Sequence, residues 1–161
     1  MDYEKTIEFG EDVEKAFEVA KINFLPHGFQ IISISDTDFE VVGPGTLWTK
    51  GQDPMVGISK AHISSVDGKL SIRAELGGVT KAIKYLIIFI VAMAVFFLIV
   101  FGILFGQLQG QSMRKVFLIS LAPFAPWPVI VPLMYRFLKS RTCRAIDVLM
   151  NNMVTLGKRE R

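Results

Sequence analysis

IKYLIIFIVAMAVFFLIVFGILF, residues 83–105, carries no charge after Lys84, and the next charged residue is Arg114. At about 1.5 Å of rise per residue, some 20 apolar residues cross the roughly 30 Å hydrocarbon core of a bilayer. The competing reading is a core helix of a soluble protein. A helix apolar on every side needs a large protein to bury it, and the other segments of this 161-residue chain could not wrap it. The stretch therefore reads as a membrane span, and the rest of the chain is arranged around it. With 51% hydrophobic residues, the composition agrees. The start, MDYEKTIEFGEDVEK, is polar and acidic, unlike a signal peptide, so the first span is expected to act as its own targeting signal.

Downstream, VFLISLAPFAPWPVIVPLM (116–134) is a second apolar run, giving spans at about 83–105 and 116–137. It holds Pro123, Pro126, Pro128 and Pro132. Each proline removes a helical donor and crowds the carbonyl four residues back, here those of Ile119, Ala122, Phe124 and Pro128. Lipid offers those carbonyls nothing, so a bent or unwound span packed on another helix is expected, with Pro126 and Pro128 at the contact. Gly102 and Gly106 form a GxxxG spacing, a second candidate for close helix approach within the chain or between protomers.

Charge assigns the orientation. Lys81, Lys84, Arg136, Lys139, Arg141 and Arg144 flank the outer ends of the two runs, against Arg114 and Lys115 in the short connection. Cytoplasmic flanks carry the excess of Lys and Arg, so both termini are expected in the cytoplasm of a multi-pass protein of the cell (inner) membrane. Residues 1–80 hold 7 Lys+Arg and 13 Asp+Glu, a net of −6, whereas residues 81–161 hold 11 and 2, a net of +9. The acidic half argues against nucleic-acid binding. The basic half points to anionic lipid headgroups, with the six flanking cations and Trp48 as candidates for the membrane surface.

Before the first span, residues 3–9 alternate with Tyr3, Ile7 and Phe9 on one face, as a strand does. Val13, Ala16, Phe17, Ala20 and Phe24 recur at helical spacing, and Pro26 and Gly28 stop a helix expected over 11–25. Strands are expected over 29–35 and 39–42, then a Gly- and Pro-rich loop over 43–54 with a short strand at 46–50. Asp67-Gly68 is a two-residue hairpin signal between runs 55–66 and 69–77. Placing Val66 opposite Lys69 sets Ile63 against Ile72 and Ala61 against Ala74 on one face. The other face then carries Lys60 against Glu75 and Ser64 against Ser71. The expected order is β-α-β-β-β-β, an α+β domain with one helix on a curved antiparallel sheet. Residues 77–80 read as a short joint to the membrane. The tail is periodic, with Cys143, Ile146, Leu149, Met150, Met153 and Leu156 on one side, and reads as an amphipathic helix. The domains are accordingly 1–80, 81–137 and 138–161.

For chemistry, the residues offer little. His27, beside Gly28, reads as a local cap or an exposed side chain, and His62 as a polar-face residue across from Arg73. Two separated histidines and one cysteine make no zinc set. Cys143 reads as an apolar-face residue or, alternatively, a palmitoylated one. Neither apolar run contains an ionisable side chain other than tyrosine, which weighs against a carrier acting alone. The leading expectation is a non-enzymatic membrane protein, needing no cofactor, whose cytoplasmic domain binds a membrane protein partner or assembles as a homo-oligomer. The alternatives are a lipid- or apolar-ligand-binding module and a small pore or transporter subunit formed by oligomerisation.

Overall fold

The computed structural model describes residues 2–10, 12–44, 53–106 and 113–157. Trp48, the short strand expected at 46–50 and the connection at 107–112 lie outside these residues. The chain is mixed α+β, a five-stranded antiparallel sheet followed by helices, two of them long and apolar enough to cross a membrane. By contacts it divides into two compact units: Met1–Ala82 together with Arg136–Arg161, and Ile83–Tyr135.

The sheet grows from its tightest turn. Asp67 (φ 52°) and Gly68 (φ 70°) both occupy the left-handed region, as a two-residue hairpin turn with the native strand twist requires. The turn joins β4 (Lys60–Val66) to β5 (Lys69–Glu75) in the register read from the sequence: Ile63 opposite Ile72, Lys60 opposite Glu75. The first strand, β1 (Asp2–Glu8), pairs antiparallel with β5, and β3 (Asp38–Val42) joins β4 to β2 (Gln30–Ile34). Across the sheet the order is β1-β5-β4-β3-β2.

Between β1 and β2 lies α1 (Val13–Phe24). It starts two residues later than expected because Asp12 is its cap, its carboxylate accepting from the Lys15 N–H. A 3-10 turn at Leu25–His27 and Gly28 at φ 81° end it. Phe17 stacks on Phe39 at 5.8 Å, and Phe24 packs against Phe29 at 4.8 Å. Phe24, Phe39, Val41, Ala61, Ile63, Leu70, Ile72 and Ala74 are all fully buried.

One helix cannot cover this face. Five strands span about 19 Å, and a helix with its side chains is about 10 Å wide. The missing cover comes from the other end of the chain. The last helix, α4 (Trp127–Gly157), buries Ile146, Leu149, Met150 and Met153, and its Asp147 meets Tyr3 and Lys5 on β1. Two helices thus lie on the sheet where the sequence suggested one. Leu156, at the end of the apolar stripe, is exposed.

The expected joint at 77–80 is already helical: α2 runs Gly77–Gly106 directly from the end of β5. The Ser59 hydroxyl accepts from the Gly77 N–H at 3.2 Å, satisfying one donor of the first turn. Gly78 is a steric requirement, since a Cβ there would lie 2.6 Å from the Val56 carbonyl oxygen.

In the second unit the proline-rich run is broken. The short helix α3 (Met113–Leu121) gives way to a 3-10 turn at Ala122–Phe124, and α4 restarts at Trp127. Pro128 therefore falls in a first turn, where a missing N–H costs least, and the Pro126 carbonyl accepts from Val129 and Ile130. Only Pro132 lies inside a helix, so Pro126 and Pro128 mark a restart rather than a mid-helix bend. The Ala122 carbonyl is satisfied by the Ala125 N–H at 3.2 Å. Phe97 of α2 meets Phe124 edge-on at 5.8 Å and stacks on Phe101, and Ser120 is buried.

Gly78→Ala is expected to destabilise the sheet unit by about 1–3 kcal/mol, the usual result of overpacking against backbone that cannot yield. Gly10→Ala, whose Cβ would meet nothing within 4 Å, should change stability by less than about 0.5 kcal/mol. Thermal unfolding of the two variants in detergent compares them.

Candidate functional site

The sheet presents one open, polar face. Arg73 reaches Asp2 at 3.0 Å, Lys60 reaches Glu40 at 2.5 Å, and His62 lies 3.2 Å from Asp38. Each pair joins residues two register positions apart on neighbouring strands, the diagonal contact of an antiparallel sheet. Ser64 and Ser71 share a hydrogen bond of 2.7 Å. The guanidinium of Arg73 holds the Asp2 carboxyl below its usual range, and Glu40 pushes the Lys60 ammonium up. These charges engage one another in water, where such pairs contribute little. His62 belongs to this network, in keeping with its expected place on the polar face.

At one margin of the sheet, β2 has a neighbour on one side only. The Ser35 N–H donates to the Asp38 carbonyl at 2.8 Å, so strand alternation turns the N–H and C=O of Ile34 towards the open edge. A bulge between Ile31 and Ser33 interrupts the pairing beside it. Ile32 and Ile34 are 58% and 55% exposed, and Ile22 on α1 is 68% exposed. Next to this edge is a groove of about 440 Å³ whose rim holds Glu14, Glu18, Asp36 and Lys21, with Phe17 and Ile34 in its wall.

A second groove, of about 370 Å³, lies between the end of α1, the 3-10 turn at Pro54–Gly57 and α4. Asn23, His27, Arg141, Arg144 and Asn152 supply its polar lining, and Met55, Val148 and Leu149 its apolar wall. His27 is neither a cap nor simply exposed: its Nδ1 meets the Asp53 carboxylate, which also accepts from the Met55 N–H at 2.9 Å. This contact fixes the turn carrying Met55.

The contact between β1 and α4 centres on Asp147. Its carboxylate accepts from Lys5 at 2.5 Å and from the Tyr3 hydroxyl at 2.7 Å. Lys5 first, then Tyr3, holds the Asp147 carboxyl below its usual 3.8. Burial, helped by that carboxylate, pushes the Tyr3 phenol up from 10.0 to about 12. Burial also pushes the half-buried Cys143 thiol up.

The other residues singled out from the sequence are dispersed. At Gly102 a Cβ would meet nothing within 4 Å, and Phe97 of α2 meets Phe124 of the second apolar run. Gly106 is the last residue of α2. Lys81 and Lys84 are exposed in its first turns, and Arg136 and Arg144 are exposed on α4. Lys139 and Arg141 are half-buried, the Arg141 guanidinium lying 5.5 Å from the Phe137 ring centre. Of these residues the structure brings only Arg141 and Arg144 into a common groove. Their spacing of three puts them one turn apart on the last helix, but the groove depends on Asn23 and Met55, which are remote in sequence. Among the described residues no group of three or more His, Cys, Asp or Glu side chains could hold a metal ion. No family model matches this chain, and neither a curated protein nor a solved structure is significantly similar to it.

A lowered carboxyl contributes stability that is present above its ordinary pKa and lost as pH falls through the lowered one. A raised phenol contributes stability that is complete below pH 10 and lost as pH rises through about 12. The α4–β1 contact should therefore be insensitive to pH between these limits and loosen at both ends. Asp147→Asn should abolish the acid limb at a stability change of about 1 kcal/mol, because the carboxylate is partly exposed. Exchange rates of the β1 amides against pH check this.

Proposed function

We propose that the chain is an integral membrane protein that recruits a partner at the bilayer surface, with no catalytic step of its own. In this reading α2 and the α3–α4 segment cross as an apolar hairpin joined at Phe97 and Phe124. One observation supports the even number of crossings: both flanks of the apolar stretch, up to Ala82 and from Arg136, belong to the same compact unit. A folded unit cannot be shared across a bilayer, so the stretch leaves and returns on one side. The six flanking cations favour the cytoplasm as that side.

The observation that carries the recruiting role is the open β2 edge. Strand β2, QIISI, has no proline or lysine to block an added strand, and Ile32 and Ile34 stand exposed on it. An extended segment of a partner protein can extend the sheet here, its backbone answering Ile34 and its apolar side chains meeting Ile32 and Ile34. The groove beside it asks for a cation in that segment, since Glu14, Glu18 and Asp36 outnumber Lys21. A second copy of the chain would bring two such acidic rims together, which favours a different, basic partner. The filled core argues for a surface role over enclosure of an apolar ligand: Phe24, Phe39, Ile63 and Ile72 have no exposed surface.

Single cysteines at Ser35 and at Gln109, in a Cys143→Ser background, test both parts. In intact cells an impermeant maleimide should label the Gln109→Cys chain and spare the Ser35→Cys chain. In inverted vesicles Ser35→Cys should react, and a synthetic peptide of alternating valine and lysine should slow that reaction severalfold. A peptide of alternating valine and glutamate should not. Labelling of Ser35→Cys in intact cells contradicts the topology; equal effects of the two peptides, or self-association of the chain through β2, contradict the basic-strand partner.

A further inference from the structure

We infer that the groove beside β2 reads the order of two charges in the added strand: an arginine opposite Ile34 and a carboxylate two residues later, in a segment running antiparallel to β2. This rests on the proposed strand addition and specifies the segment it takes. Helix α1 turns back into β2 through residues 25–29, so its first turns lie beside Ile34 and Asp36, and Lys21 lies nearer the start of the strand. The charge along the groove is therefore divided, with Glu14, Glu18 and Asp36 at the end near the β2–β3 turn and Lys21 at the other. All four side chains are exposed, and among the described residues none of them forms an ion pair.

The spacing suits a strand. Glu14 and Glu18 stand one turn apart, and from Ala16, midway between them, Lys21 lies about 7.5 Å further along the helix. Side chains two residues apart on one face of an antiparallel strand are about 6.8 Å apart. One side chain of the segment can thus face the acidic end while the next on the same face reaches Lys21.

Direction follows from the edge. Ile34 turns both its N–H and its C=O outward, and the bulge between Ile31 and Ser33 interrupts the ladder beside it. In an antiparallel pair one facing residue answers both groups, whereas a parallel strand needs the two residues flanking that position. With so little regular edge on offer, the antiparallel pair is favoured, and the residue opposite Ile34 shares its face of the sheet. Ile34 pairs with Phe39, on which Phe17 stacks, so that face is the side on which α1 lies. Arginine suits the position. Its stem lies along Ile34 and Phe17, and its planar fork presents five donors to Glu14, Glu18 and Asp36, where lysine offers a single point charge.

Fluorescence anisotropy of the full chain in mild detergent at about 0.15 M salt, with labelled peptides blocked at both ends, tests it. Thr-Val-Arg-Val-Glu-Val-Thr and its reversal, Thr-Val-Glu-Val-Arg-Val-Thr, share one composition and carry no net charge. The first should bind at least about threefold more tightly, since each exposed ion pair shifts affinity by roughly 1.5- to 5-fold. Lysine in place of its arginine should weaken binding about twofold or more. Lys21→Glu should weaken binding of the first peptide at least about threefold. Lys69→Glu makes the same charge change three strands from β2, about 14 Å away, and should alter it less than about twofold. Equal or tighter binding of the reversed peptide or of the lysine peptide, or equal effects of Lys21→Glu and Lys69→Glu, overturns the reading of order while the added strand stands. Binding of none of these peptides, nor of alternating valine and lysine, overturns the added strand as well.

Discussion

A sheet with one apolar face must have that face covered across its whole width, and everything else in this chain follows from how that is done. Strands β1, β5, β4 and β3 present Ile7, Leu70, Ile72, Ile63, Val41 and Phe39 to the same side. Helix α1 fills the half near β3 with Phe17 and Phe24. The half near β1 lies against α4, whose Ile146, Met150 and Met153 are buried, with Asp147 clasping Tyr3 and Lys5 at its margin. Burying each such side chain is worth about 1.5–3 kcal/mol, so the sheet depends on residues more than 60 positions beyond its last strand.

That dependence constrains the apolar stretch between them. Residues 83–135 are an insertion in one folded unit, entered from α2 and left through α4. In the proposed membrane setting, the insertion must begin and end on one side. Proline placement suits this use. Pro126 and Pro128 stand where α4 restarts after the Ala122–Phe124 turn. The same return places Arg141 and Arg144 against the Pro54–Gly57 turn, creating a groove that neither half of the unit has alone.

Much of this was legible in the sequence, for identifiable reasons. Asp67-Gly68 dictated a turn with both residues left-handed, and the alternation around it admitted only one register that buried Ile63 and Ile72 together. The α1 stripe and its stop at Pro26 and Gly28 were equally local signals. What periodicity could not supply was a partner. The stripe Ile146, Leu149, Met150 and Met153 announces a buried face, but a 3.6-residue repeat looks the same against lipid, a partner or the chain's own sheet. Nor could a count of prolines tell where a helix restarts, and so Pro128 looked costly when it is a first-turn residue. The β2 edge was hidden because strand order, with β1 beside β5, is a long-range property. Glycines 77 and 78 misled in the same way: they read as a short joint, yet they are helical and permit close packing against Ser59 and the Val56 carbonyl.

The central claim is that the last helix is part of the sheet's core. Met150→Asp places a carboxylate at a position with no exposed surface, which costs several kcal/mol when no partner is available. Hydrogen exchange of the backbone amides in the full chain, wild type against Met150→Asp, reads the consequence directly. The account predicts that protection of Ile72 and the other β5 amides, and of β1, falls at least about a hundredfold, as expected for a loss approaching 3 kcal/mol. Unchanged protection of β1 and β5 with only the tail helix exchanging faster would contradict it.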